Sequence, residues 1–201
     1  MISWEQEFLF LRLTSWGDIN NCMNIYDIFP TKIILAENIE LAEELLPLCD
    51  KYTQLTETNL LGIANFPSTL QNKPMSDLVD QEPIVQRAMT YFRTLIAEYE
   101  TAYTPTWKTA CSVEAKFFSA MQKYSYLKKH RHLGCNYAGI LYLQVGLDVP
   151  PLKIFDVNPY NTDTMQIAPR TGGVVIIPSW MEHSLDQMLT DEPRKAFTFN
   201  L

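Results

Sequence analysis

The chain has 201 residues, 47% of them apolar and 12% aromatic, with a formal net charge of −7. This is enough apolar material for one domain with a packed core, and it lies outside the disordered range. The acidic balance excludes a general nucleic-acid binder, which needs a basic face to neutralise phosphates, and no apolar run reaches the roughly 20 residues that span a bilayer.

The opening residues MISWEQEF include no basic region, so no secretory leader is expected. Cys22, Cys49, Cys111 and Cys135 lie far apart with no CxxC spacing, which fits reduced thiols in a cytoplasmic protein. Cys135 sits near the candidate site and is read as a packing residue.

In residues 1–23, Phe8, Leu9, Phe10, Leu11 and Leu13 are apolar, and Gly17-Asp18 with Asn20-Asn21 reads as a turn. A strand or a short helix fits equally. Asn24 to Leu35 is rich in β-branched and aromatic residues and reads as extended, with Pro30 marking a break or an edge. Asn38 looks like an N-cap, and Ile39, Ala42, Leu45, Leu46 and Cys49 follow at helical spacing. Pro47 is expected to kink or split that helix. The polar stretch 53–73 reads as a loop, either a surface connection or a lid over a pocket. Pro83 starts the clearest helix, with a stripe of Ile84, Ala88, Tyr91, Phe92, Leu95, Ile96 and Tyr99, and Thr104-Pro105 ends it.

From Trp107 the period changes to two. Strands are expected over Ala110 to Met121, Tyr124 to His132, Tyr137 to Val145, Leu152 to Val157, Met165 to Pro169, Gly173 to Pro178 and Lys195 to Leu201. Strands this short and evenly spaced indicate a closed or sandwiched antiparallel β-structure. The expected fold is therefore mainly β with N-terminal helices (α+β). It forms one domain over 1–201: supporting elements in 1–106 and a β core in 107–201.

The chain has three histidines, and all fall in this last part: His130, His132 and His183. On a strand, i and i+2 share a face, so His130 and His132 can reach one metal while Arg131 points away. His183, after the strand ending at Pro178, supplies a third ligand and leaves other coordination positions open. A histidine pair at this spacing is common without a metal. The convergence of all three is what favours one.

Two barrel families use such a pattern. The second cupin motif is nearly met, since Gly172 lies six residues before Pro178 and His183 five after it. However, Trp180 stands where that motif has glycine, and Asn136 where the first motif has glutamate. Residues 107–201 resemble instead the 2-oxoglutarate- and Fe(II)-dependent oxygenases. In detail they are similar to a group found in marine bacteria and phages, related to prolyl hydroxylases. The resemblance rests on HRHLGCNYAGILYLQ, KIFDVNPY, GGVVIIPSWMEHS and EPRKAFTFN, four segments in the right order.

The resemblance implies a double-stranded β-helix, a jelly-roll or cupin-like barrel. It implies Fe(II) held by His130, His132 and His183, and 2-oxoglutarate anchored by Arg194, with Thr198 and Tyr142 as further contacts. Most of the superfamily has a carboxylate where this chain has His132. Either the group uses three histidines, or a carboxylate such as Asp156 completes the site. The implied activity is hydroxylation of an unactivated C–H bond, with a peptide (prolyl or other) or a small metabolite as substrate and no nucleic acid or membrane partner. The location would be the cytoplasm, the host's if the chain is phage-encoded, and a homodimer is left open. The alternatives are a cupin-like three-histidine dioxygenase that needs no 2-oxoglutarate, and a jelly-roll binding protein with no activity.

Overall fold

The computed structural model describes residues 24–28, 31–55, 66–71, 73–156 and 164–201. The expectations for residues 1–23, Pro30, residues 56–65 and the turn at Asn158 to Asp163 lie outside the described residues. In chain order the elements are β1 (Asn24–Ile28), β2 (Thr31–Glu37), α1 (Ile39–Thr53), α2 (Lys73–Gln81), α3 (Pro83–Tyr103), β3 (Ala115–Met121), β4 (Leu127–His130), β5 (Tyr137–Val145), β6 (Leu152–Phe155), β7 (Thr164–Ile167), β8 (Gly173–Pro178), β9 (His183–Leu185) and β10 (Arg194–Asn200).

The strands form two antiparallel sheets. The larger has the order β1-β2-β8-β5-β10-β3 and the smaller β4-β9-β6-β7. Alternation along β2, β5, β8 and β10 sorts their side chains into two cores. Ile34, Leu141, Ile176, Phe197 and Phe199 face the helices, where they meet Leu45, Phe92 and Ile96. Ile33, Leu35, Ala138, Tyr142, Val175 and Ile177 face the smaller sheet and meet Leu152, Ile154 and Ile167. Strand β8 lies inside the sheet and is covered on both faces, so all six of its residues are buried.

Helix α1 starts where expected, because the Asn38 side chain accepts the Leu41 amide at 2.9 Å. Two expectations for this helix do not hold. Its buried stripe is Leu41, Ala42, Leu45, Cys49 and Tyr52, while Ile39 is half exposed. Pro47 does not split it: the helix runs through to Thr53. Pro47 and Glu43 both lie on the exposed side, so the carbonyl of Glu43, which loses its usual donor there, faces water. Helix α3 has Pro83 in its first turn and ends where Thr104 turns left-handed at φ 38°.

The strand expectations over-reach at several ends: β4 begins only at Leu127, β6 stops at Phe155 and β7 at Ile167. The stretch 110–114 is not strand, because the Ser112 and Val113 amides both bond the carbonyl of Gly134, at 2.9 Å, instead of joining a ladder. Strand β4 stops at His130. Strand β9 and helix α2 are not announced by the sequence pattern, as one has three residues and the other fills the gap between the loop and Pro83. Part of the polar stretch packs on β3, where Ser68 bridges Ser119 and the Thr69 hydroxyl accepts the Phe118 amide at 3.0 Å.

Cys49, Cys111 and Cys135 are free thiols. Among the described residues no helix is long and apolar enough to cross a membrane.

Candidate metal centre

His130, His132 and His183 come together although they sit on different kinds of backbone. His130 is the last residue of β4. It pairs directly with His183, the first residue of β9. His132 lies beyond the strand, and its amide bonds the Ser179 carbonyl at 2.9 Å. The convergence therefore comes from a strand pair and an anchored turn, not from two positions on one strand face. Arg131, expected to point away, is exposed and borders the same cavity.

The candidate ligand atoms of the three rings all lie within 4.8 Å of one another. The Nδ1 atoms of His130 and His183 approach the carbonyls of Lys128 and Met181 at 2.8 and 3.0 Å. A carbonyl only accepts, so each Nδ1 holds the proton and each Nε2 presents a lone pair. The Nε2 atoms of His132 and His183 are 3.3 Å apart. Two nitrogens bound to one ion at about 2.1 Å and separated by about 90–110° would lie about 3.0–3.4 Å apart, so the spacing fits a shared metal. Burial lowers the basicity of all three rings. It holds His132 at about 4, helped by the neighbouring His130, and His183 at about 3. All three are neutral at pH 7 and ready to ligate. Asp156 is not in the cluster.

A cavity of about 320 Å³ opens beside the triad, lined by Phe117, Ser119, Leu127, Leu133, Ile140, Leu152, Val175, Ile177 and by Phe66, Ser68 and Leu70 of the stretch after α1. Arg194, Thr198 and Asn200 line it from one face of β10. Arg194 is only 4% exposed. Among the described residues no carboxylate pairs with it. One terminal nitrogen meets the Met121 sulfur at 3.1 Å, and its Nε is buried with no hydrogen-bond partner. A buried, uncompensated guanidinium is costly unless an anion joins it. Tyr142, on β5 opposite Ala196, lies beneath that guanidinium and is not part of the cavity wall. Its hydroxyl is buried without a partner, and burial raises its pKa while the nearby arginine opposes the rise.

Sequence reasoning missed the two carbonyls that set the histidine tautomers, and it gave Asn200 no role. The spacing held a signal for Asn200, since it has the same parity on its strand as Arg194 and Thr198.

No family model matches the sequence, and no curated protein matches it. Solved structures do. The chain is similar to a prolyl-4-hydroxylase from Pseudomonas putida, with 12% identity, 90% of this chain and 93% of that one covered, and a TM-score of 0.58. It is also similar to a prolyl hydroxylase from Trichoplax adhaerens in complex with a hypoxia-inducible factor peptide fragment, with 11% identity, 84% and 82% covered, and a TM-score of 0.57. A 2OG-Fe(II) oxygenase family oxidoreductase from Burkholderia pseudomallei gives 12% identity, the same two coverages and a TM-score of 0.53. The fold is that of the 2OG-Fe(II) oxygenases.

Proposed function

We propose that this chain is an Fe(II)- and 2-oxoglutarate-dependent dioxygenase that hydroxylates an unactivated C–H bond. On this reading the two sheets are the halves of a double-stranded β-helix in a single domain. The observation that supports it most is the buried, unpaired guanidinium of Arg194 in the same cavity as three neutral, converging imidazoles. A metal alone would explain the histidines. It would not explain a cation sequestered beside them.

His130, His132 and His183 would hold Fe(II) through three nitrogens, a neutral donor set that leaves the ion's positive charge uncompensated. That charge and Arg194 together favour a dianion such as 2-oxoglutarate. Arg194 would take its distal carboxylate through the guanidinium fork, and Thr198, four residues along the same face, would add a hydroxyl. With dioxygen as co-reactant, bound Fe(II) and 2-oxoglutarate would supply the oxidising chemistry: one oxygen atom enters the C–H bond as hydroxyl, the other enters succinate, and carbon dioxide is released. The protein's own part is to hold the ligands, fix the cosubstrate and exclude water with the apolar wall of Leu127, Leu152, Val175 and Ile177. A neighbour of the same fold was solved with a peptide. A peptidyl substrate, prolyl or other, is accordingly the first to test. The free thiols fit a cytoplasmic setting.

The test is an anaerobic titration of the metal-free protein with Fe(II) and then 2-oxoglutarate, watching for a visible metal-to-ligand charge-transfer band. A band that needs both, is lost in His183→Ala and weakens in Arg194→Ala is the expected result. Iron binding without a band would favour a three-histidine dioxygenase that uses no 2-oxoglutarate. No iron binding would leave a β-sandwich binding protein.

A further inference from the structure

Asn200 is the last residue of β10 and is 8% exposed. Its side chain lines the cavity, and its Oδ1 is buried with no hydrogen-bond partner among the described residues. A buried carbonyl oxygen left unpaired costs stability and is retained for a reason. Neither of the tasks already assigned to the cavity supplies one. At pH 7 every oxygen of 2-oxoglutarate can only accept a hydrogen bond, so the cosubstrate offers no donor to the Oδ1 of Asn200. Asn200 is also not one of the clustered metal-ligand groups.

Its position is set by the backbone around the triad. The His132 amide bonds the Ser179 carbonyl, the Ser179 amide bonds the Asn136 carbonyl and the Asn136 amide bonds the Leu201 carbonyl, at 2.9, 2.9 and 2.7 Å. Three hydrogen bonds thus tie the residue after Asn200 to the metal-binding turn. Asn200 belongs to the histidine end of the cavity, while Arg194 belongs to the other.

Resting on the oxygenase reading above, we propose that Asn200 is a specificity-determining residue. It accepts a hydrogen bond from a donor on the substrate, an amide N–H or a hydroxyl, and so turns the carbon to be oxidised toward the histidine triad. A substrate that presents only hydrocarbon or a carboxylate at this point leaves the oxygen unpaired and is rejected.

The test uses the full chain loaded with Zn(II) and saturated with 2-oxoglutarate, so that no turnover occurs. N-methylacetamide, N,N-dimethylacetamide and 2-propanol serve as probes, and the Asn200 side-chain amide resonances, identified by their loss in Asn200→Leu, are followed by NMR. N-methylacetamide is expected to move them and to bind at least about fivefold more tightly than its dimethyl analogue, which lacks only the N–H. Asn200→Leu should abolish that preference. A response to 2-propanol alone would support the same role with a hydroxyl as donor. No response to either donor overturns the proposal, as does a preference that survives in Asn200→Leu. Asn200→Leu should also raise the Tm of the metal-free protein by about 2–4 °C, because it removes an unpaired polar group. A fall of that size would mean that Asn200 is structural. If the Fe(II) and 2-oxoglutarate band never forms in the wild-type protein, the oxygenase reading fails. If it forms and the amide preference is absent, only the role of Asn200 fails.

Discussion

The guanidinium of Arg194 lies over the ring of Tyr142, 5.1 Å from its centroid, with both side chains almost fully buried. The ring supports the planar cation from below and leaves its edge free for an anion. Arg194→Lys keeps the charge but loses both the fork and the stacking. It should weaken 2-oxoglutarate binding about tenfold, and Arg194→Ala about a hundredfold. Titration of the charge-transfer band measures both, and equal affinity in wild type and Arg194→Ala would remove Arg194 from the site.

Tyr142→Phe removes only the unpartnered hydroxyl. Stability of the metal-free protein should hold or rise by about 1 kcal/mol, since no hydrogen bond is broken. Cosubstrate affinity should fall by about threefold to tenfold if the hydroxyl reaches the bound carboxylate. Thermal denaturation and the same titration separate the two effects.

The histidines make the metal-free protein acid-sensitive. Each ring resists protonation in the folded state, below its ordinary 6.5, with His132 at about 4 and His183 at about 3. The unfolded chain takes up protons near 6.5, so folding stability is full above that pH and falls as pH drops from about 6.5 toward about 3. Denaturant melts across this range should show the loss, and His183→Gln should reduce it. Iron should be held through the upper part of that range and released only as pH falls to about 4 and below, where protons begin to compete for the His132 and His183 nitrogens of the folded protein.

Gly139→Ala tests the helix-side core. A Cβ built at Gly139 would meet the Phe199 ring. That ring cannot retreat, because it stacks on Phe92 at 4.1 Å. The substitution should cost about 1–3 kcal/mol while leaving the metal ligands intact, as read by melting and by iron titration.

Much of this was legible in the sequence because periodicity reports burial. Strands β5 and β8 match their expected limits, since both are apolar runs between clear turn residues. The capping of α1 by Asn38 was also readable, because it needs only local chemistry. What was hidden is tertiary. Strand β9 has three residues and exists only because β4 and β6 flank it. The exposed side of Pro47 is set by how α1 docks on the sheet, which its own sequence does not state. The histidines were identifiable as a group. The way His132 is held, by Ser179 from a distant turn, was not.

The pairing of His130 with His183 places two candidate ligands directly across from each other, one on the outermost strand of the smaller sheet and one on its inner neighbour. An ion bound there acts as a rivet at the sheet's margin. Strand β4 is short and has a ladder on one side only, so without the rivet it is the element most ready to fray. Chelation should therefore speed amide hydrogen exchange in β4 ahead of the rest of the chain, and the protein's iron status would be written into the mobility of a single edge strand.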